Sequence, residues 1–149
     1  MILRDIKQWL TVMCGGILLL GTAAAPAGGE TVVIVSKSST ITTLSANDAR
    51  AIFLGKITKV PGGSNIQVLL QENDSAVHTE FLEKLVTRTN DQLRSLWARR
   101  VFTGLVSPPL QVSGDQAMLD NVARLTGSIG YISRDAVNDS VRIVYTVKD

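Results

Sequence analysis

The sequence predicts an α/β sandwich built around a mixed β-sheet. Two runs rich in β-branched residues, Thr31–Val35 and Val141–Val147, have the composition of strands. Between them lie segments whose apolar residues recur every three or four positions, which is typical of helices that pack against a sheet. Some of the expected connections between strands contain two helices and others contain none, so a wholly parallel sheet is not expected.

Three of the expected helices have recognisable N-termini. Each follows a serine or threonine that can cap the helix, with an acidic or amide side chain three residues later. These pairs are Ser45 with Asp48, Thr89 with Gln92, and Ser113 with Gln116. Gly55 and Gly127 are expected to end the first and the last of these helices, because glycine adopts the left-handed backbone of a helix C-terminus.

The remaining elements follow from hydrophobic runs and turn residues. Ile66–Leu70 is expected to be a strand, and a fourth helix is expected over about Ser75–Val86. Gly104–Pro109 is predicted to be a loop, and Ile129–Ser133 a short strand. Trp97 falls in the apolar stripe of the helix that begins after Thr89, so it is expected to lie in the core.

Residues 1–27 predict a secretory signal peptide. Arg4 and Lys7 precede the uncharged apolar run Trp9–Gly21, and Ala25 and Ala27 fit an A-x-A cleavage pattern. The alternative is an uncleaved membrane anchor, although the apolar run is short for a membrane span. Residues 28–149 are then expected to form one domain in the periplasm or outside the cell.

The predicted domain lacks the residues that several kinds of chemistry require. Cys14, the only cysteine, lies in the predicted signal peptide, and His78 is the only histidine. No zinc site, other metal site or cofactor is therefore expected. Without Arg4, Lys7 and Asp5, the 15 basic and 13 acidic residues become 13 and 12. This near balance does not indicate a nucleic-acid partner.

The junction Ile66–Phe81, where a strand leads into a helix, is the most informative feature for function. The first N–H groups of a helix are unpaired and its dipole favours negative charge, so such a junction can bind an anion. The intervening loop nevertheless carries Glu72 and Asp74 and no lysine or arginine. Its geometry favours an anion and its charge opposes one.

Three segments resemble the phosphate-type substrate-binding proteins of ABC transporters. Leu44–Thr58 resembles that family's LS…IFLGKIT segment, and Gly127–Ile132 resembles its GAIGYV segment. Between them, Gln67–Phe81 lies where the family has a strand, an arginine and an SGT-type phosphate loop. Members have two lobes that close on the ligand. The resemblance implies a three-layer sandwich with a mixed sheet, resembling a single lobe of a type 2 periplasmic-binding-protein fold.

The resemblance also implies where a small ligand, such as an oxyanion, would bind. One wall of the site would be formed by Gln71, Asn73, Ser75, Ala76 and Val77. We expect Ser38, Ser39 and Thr40, which follow the first strand, to lie opposite that wall. The alternative for these three residues is a polar crossover loop.

The candidate site departs from the family's phosphate chemistry. Gln71 stands in place of the arginine, and Ala76 and Val77 stand in place of glycine and threonine. Glutamine lacks the charged, bidentate fork that arginine offers to phosphate. Glu72 and Asp74 would repel a dianion. Tight binding of phosphate by this chain alone is therefore not expected.

Several residues near the junction have a structural interpretation as well as a functional one. Asp74 is expected to cap the helix. His78 could act as a base for Ser75, but no third group orients it, so a partly exposed helix position is preferred and no enzyme is predicted. A basic group on the two central helices is expected to be a solvated face paired with Glu80, Glu83 and Asp91; the alternative is a docking surface. The group comprises Lys84, Arg88, Arg94, Arg99 and Arg100.

Two functions are compatible with these features. The first is an exported domain that binds a small ligand weakly or with a second chain, such as an ABC permease, an envelope protein or a homodimer partner. The alternative is an interaction or assembly module of the cell envelope that has no small ligand.

Overall fold

The computed structural model describes residues 29–72 and 75–149. The predicted signal peptide, Asn73 and Asp74 lie outside the described residues. The five strands are β1 (Thr31–Ser36), β2 (Gln67–Gln71), β3 (Leu110–Val112), β4 (Ser128–Ser133) and β5 (Val141–Thr146). They form one sheet in the order β3-β2-β4-β1-β5.

The sheet is mixed, as predicted. β2 is parallel to both of its neighbours, β3 and β4. β1 is antiparallel to both of its neighbours, β4 and β5. Because the direction changes between β4 and β1, β2 and β4 have their carboxyl ends at one end of the sheet and β1 has its carboxyl end at the other.

The helices are α1 (Ala46–Phe53), α2 (Ala76–Glu80), α3 (Asn90–Phe102) and α4 (Gly114–Arg124). α2 continues directly into a π-helix over Phe81–Val86, and a short 3₁₀ turn covers Arg134–Ala136. Among the described residues, no helix has the length and apolar content needed to cross a membrane.

Helices cover both faces of the sheet. Two neighbouring residues of β4 show this, since successive side chains of a strand point to opposite faces. Gly130 faces α4 so closely that a methyl group there would collide with the sulfur of Met118. Tyr131 points to the other face, where its ring stacks on Phe81 with the centroids 3.8 Å apart. On that face the indole N–H of Trp97 in α3 donates to the backbone oxygen of Phe53 in α1, at 2.9 Å. The result is a three-layer sandwich with a buried core on each side.

Two of the three predicted capping interactions are present. The Ser45 side chain accepts from the backbone N–H of Asp48, and Thr89 and Gln92 form a complete capping box. The prediction for Ser113 is wrong. Its hydroxyl instead donates to a carboxylate oxygen of Glu72 at 2.7 Å, a stronger bond because the acceptor is charged.

The predicted strands lie within one residue of their observed bounds, but β3 was not predicted. A strand of only three residues shows too little alternation to be recognised, and it follows Pro108 and Pro109. This missed strand forms one edge of the sheet.

Candidate functional site

The two walls predicted for the ligand site lie at opposite ends of the sheet. Thr31 and Ser133 pair at one end of the antiparallel strands β1 and β4, while Val35 pairs with Ile129 near the other. Gln67 of β2 pairs with Ser128 at that second end. Gln71 is four residues further along β2, roughly 13 Å away. The prediction that Ser38, Ser39 and Thr40 face Gln71–Val77 is therefore wrong.

The loop after β1 is held by Arg142 of β5. The guanidinium group of Arg142 donates to the backbone oxygens of Lys37, Ser39 and Ile41 at 3.1–3.2 Å. The hydroxyl of Ser39 accepts from the backbone N–H of Ile41. These contacts agree with the alternative interpretation, a polar crossover loop attached to the sheet edge.

The Gln71 side chain lies at the carboxyl end of β2, in the position expected for a ligand-binding residue, but its contacts are internal. It is 1% exposed. Its Nε2 donates to Asp115 Oδ1 at 2.7 Å and to the Tyr131 backbone oxygen at 3.0 Å, and its Oε1 accepts from the Ser75 hydroxyl at 2.8 Å. Both amide hydrogens are thus used within the chain.

Asp115 is the residue that sequence analysis missed in this group. It lies in the first turn of α4, and its second carboxylate oxygen accepts from the backbone N–H of Ser133 at 3.2 Å. It thus joins α4, β2 and β4. Asp115 is 44 residues from Gln71 in the sequence. Only the parallel pairing of β2 with β3 and β4 brings the two together, so no local pattern could have indicated the contact.

Ser75 caps α2. Its hydroxyl oxygen accepts from the backbone N–H of His78 at 3.0 Å, while its hydrogen is donated to Gln71. Ser75 has the extended backbone of an N-cap and makes the capping bond, and Asp74, which is predicted to cap the helix, lies outside the described residues. Of the next two candidate ligand residues, Ala76 is exposed and Val77 packs against the core.

This end of the sheet carries negative side chains. Glu72 is exposed and accepts from Ser113, and Asp115 is half-buried against Gln71. In the described part of the chain, no lysine or arginine side chain donates a hydrogen bond to Gln71, Glu72, Ser75 or Asp115. An entering anion would meet two carboxylates without a balancing cation.

His78 is buried, with 2% of its surface exposed, so the prediction of a partly exposed position is wrong. The Tyr131 hydroxyl oxygen lies 2.8 Å from the Gln71 backbone nitrogen and 2.6 Å from His78 Nδ1. Because the backbone N–H is a donor, the hydroxyl accepts from it and donates its own hydrogen to Nδ1. His78 Nε2 then carries the proton and donates to Asn90 Oδ1 at 3.3 Å.

The buried environment favours the neutral forms of both His78 and Tyr131. Burial lowers the pKa of His78, and the hydrogen bond to Asn90 opposes that effect without reversing it. Burial also raises the pKa of the Tyr131 hydroxyl. His78, Leu82 and Leu85 recur at helical spacing on the buried side of the helix, which is the sequence signal that could have predicted the burial.

The Ser75–His78 pair does not have the geometry of a nucleophile and a base. The His78 ring nitrogens contact Tyr131 and Asn90, and the hydrogen bond between Ser75 and His78 involves the His78 backbone N–H and not its ring. The serine hydrogen is directed to Gln71. The pair therefore stabilises the start of α2.

The basic group on the helices is only partly paired. Lys84 forms ion pairs with Glu80, at 3.0 Å, and with Asp149. Within the described ranges, Arg94, Arg99 and Arg100 take part in no ion pair. Among the described residues, Glu83 and Asp91 form no ion pair with the basic group, contrary to the prediction. The prediction that Trp97 lies in the core is confirmed.

The fold is similar to one lobe of the substrate-binding proteins of phosphate ABC transporters. Solved structures with this fold include an ABC-type phosphate transport receptor from Vibrio cholerae, with 20% identity and a TM-score of 0.62. A second, from Clostridium perfringens, is described as a phosphate ABC transporter substrate-binding protein with bound phosphate; its identity is 25% and its TM-score 0.63. PstS from Borrelia burgdorferi matches with 15% identity and a TM-score of 0.59.

The match covers most of this chain but less than half of each solved structure. In all three, 77% of this chain is covered, against 45%, 44% and 46% of the respective solved chain. The predicted resemblance, limited to one lobe, is confirmed at the level of the fold. No protein-family model matches the chain. No curated protein matches it significantly.

Proposed function

We propose that this chain is an exported, non-enzymatic domain with the fold of a substrate-binding lobe, and that it acts through a protein partner instead of binding phosphate itself. The observation that carries the proposal is the closed group of Gln71, Ser75 and Asp115. These side chains satisfy one another at the end of β2, where the resemblance implies the ligand site. In this proposal, the three side chains fill the position that a ligand would occupy in a substrate-binding lobe.

The energetic cost of opening this group argues against an anion. Releasing the Gln71 amide from Asp115 breaks a hydrogen bond to a charged group, which contributes about 1.5–3 kcal/mol. A phosphate dianion would also lie close to that carboxylate. Since about 1.4 kcal/mol corresponds to a tenfold change in affinity, opening alone would weaken binding about tenfold or more.

The predicted export of the domain is compatible with this function. The predicted signal peptide would deliver the domain to the periplasm or outside the cell. An envelope protein or an ABC permease is then an accessible partner, and a homodimer is a further arrangement to test.

A calorimetric titration tests the proposal. The full-length chain is expressed in a bacterium with a C-terminal tag, purified from the periplasm or medium, and titrated with inorganic phosphate and with sulfate. No saturable heat is expected at millimolar anion. Micromolar binding of phosphate would overturn the proposal. N-terminal sequencing of the same sample is expected to begin at Gly28.

A charge-neutral variant sharpens the titration. Asp115→Asn keeps the shape of the side chain and removes its charge, so any residual anion affinity should rise. If Asp115→Asn binds phosphate and the parent chain does not, the carboxylate is the reason for the lost affinity. If both chains bind equally, Asp115 does not oppose the anion and the proposed explanation is wrong.

Weak binding of a small ligand is the second candidate function. It is favoured by the likeness of the fold to the Clostridium perfringens protein, which was solved with bound phosphate. Saturable millimolar heat in the same titration, lost in a Ser75→Ala variant, would favour this candidate over the first.

A further inference from the structure

Large exposed hydrophobic side chains cluster in a single segment of the described chain. Phe102 is 93% exposed, Leu105 is 73% exposed and Leu110 is 44% exposed. In the described ranges, every other large hydrophobic side chain is buried or half-buried. Exposed apolar residues of a soluble domain are usually scattered, so three of them within nine positions direct attention to this segment as a contact surface.

Phe102 borders a groove between α3 and the sheet edge that β3 forms. The groove has a volume of about 430 Å³. Its apolar lining includes Leu93, Trp97, Val101, Pro108 and Pro109. Leu93 and Trp97 are buried and fixed in the core, so they provide a rigid floor, whereas Phe102 projects beyond it. We call this surface the α3–β3 groove.

The charge beside the α3–β3 groove is positive. Arg94 lines the groove. Among the described residues that line the groove, Arg94 is the only charged one, and residues 101–112 carry no charge. Arg94 takes part in no ion pair with the described residues. A partner with carboxylates would complement this field, and a basic partner would be repelled.

We propose that the α3–β3 groove binds a protein segment that presents apolar side chains together with carboxylates. Its apolar side chains would pack between Phe102 and the floor at Trp97, and a carboxylate would reach Arg94. This inference rests on the proposed function, since it names the surface through which the domain acts.

The charge of α3 favours such a segment over a second copy of this chain. A symmetric dimer places the same surface of both copies in contact, so the Arg94 side chains of both copies would lie in the same interface, and the groove itself offers no carboxylate to pair with them. Pro108 and Pro109 also precede β3 and lack backbone N–H donors, which limits edge-to-edge pairing of strands from two copies. The groove is thus better suited to a different, acidic chain.

Selection from a random peptide library displayed on phage tests the inference. The immobilised probe is the purified, tagged full-length chain, and enriched peptides are synthesised and measured by fluorescence anisotropy. We expect enriched peptides to combine aromatic or leucine residues with aspartate or glutamate. Phe102→Ser and Arg94→Glu should each weaken binding of these peptides about tenfold or more.

Arg124→Glu is the matched control, because Arg124 lies on α4 at the other face of the sheet. It should leave peptide affinity unchanged. Thermal unfolding of each variant verifies folding, and Phe102 is too exposed for its replacement to disturb the core. Enriched peptides that are basic, or that bind equally to Phe102→Ser and the parent chain, would overturn the proposal. So would a failure to enrich any peptide.

Two further measurements separate this inference from the proposed function. A dimer in light scattering that Phe102→Ser abolishes would identify a second copy as the occupant and overturn the acidic segment. Micromolar phosphate binding together with acidic peptide binding would overturn the proposed function while the groove inference stands. The absence of both phosphate binding and peptide binding would overturn the groove alone.

Discussion

Replacement of Tyr131 by phenylalanine tests the buried hydrogen bonds behind the candidate site. The change removes only the hydroxyl, which accepts from the Gln71 N–H at 2.8 Å and donates to His78 Nδ1 at 2.6 Å. The ring keeps its stacking on Phe81 at 3.8 Å. Any loss of stability therefore reports on the hydrogen bonds and not on the packing of the ring.

The expected cost follows from the two groups that lose their partner. A buried donor or acceptor left unsatisfied costs about 1–3 kcal/mol. The Gln71 N–H and His78 Nδ1 are both buried, so Tyr131→Phe should lower the free energy of unfolding by about 2–6 kcal/mol. A loss of this size is a large part of the stability of an ordinary domain.

Urea unfolding, followed by circular dichroism, measures the effect. Tyr145→Phe is the matched control, because Tyr145 is half-buried and its hydroxyl makes no hydrogen bond to the described residues. A double-mutant cycle with His78→Phe should give a coupling energy of about 0.5–3 kcal/mol. If Tyr131→Phe costs no more than Tyr145→Phe, the hydroxyl does not link Gln71 and His78 as described.

Three further predictions concern pH and the sheet edge. Burial lowers the pKa of His78 from 6.5, so the unfolded chain binds more protons than the folded chain below that pH. The free energy of unfolding should therefore decrease as the pH falls below 6.5, by at most about 1.4 kcal/mol per pH unit. His78→Gln should make the urea midpoint less dependent on pH. Burial raises the pKa of Glu80, but hydrogen bonds from Thr31 and Lys84 outweigh this effect and lower the pKa overall. Glu80→Gln should therefore destabilise the domain at neutral pH, and the urea midpoints of the variant and the parent chain should converge in acid. A difference between them that persists in acid would contradict the lowered pKa. Arg142→Lys should cost about 1.5–3 kcal/mol, because an ammonium group cannot reach three carbonyl oxygens in a plane; unchanged hydrogen exchange of the loop after β1 would contradict it.

The elements of the fold that depend on local sequence were predictable. The Thr89 capping box, the glycine end of α1 at Gly55 and the burial of Trp97 all arise from residues close together in the chain. Their physical causes act over one or two helical turns, so a single sequence contains them.

The candidate site was less predictable because its contacts are distant in sequence. Local sequence predicts Gln71 and Ser75 as site residues, but not Asp115, which accepts a hydrogen bond from the Gln71 side-chain amide. Composition also does not indicate the direction of β1 relative to β4. Because β1 is antiparallel to β4, Ser38 lies at the end of the sheet opposite to Gln71. A partly exposed position is predicted for His78, whereas its place on the buried side of the helix determines its burial.

Phosphate titration followed residue by residue in NMR spectra most directly tests whether the chain's own side chains fill the position where the resemblance implies a ligand. The signals to follow are the side-chain amide of Gln71 and the backbone amides of Ser75 and Asp115. With millimolar phosphate, these signals should not shift, and the Gln71 side-chain hydrogens should remain protected from exchange. Saturable shifts of the same signals at micromolar phosphate would show that the position is open to an anion.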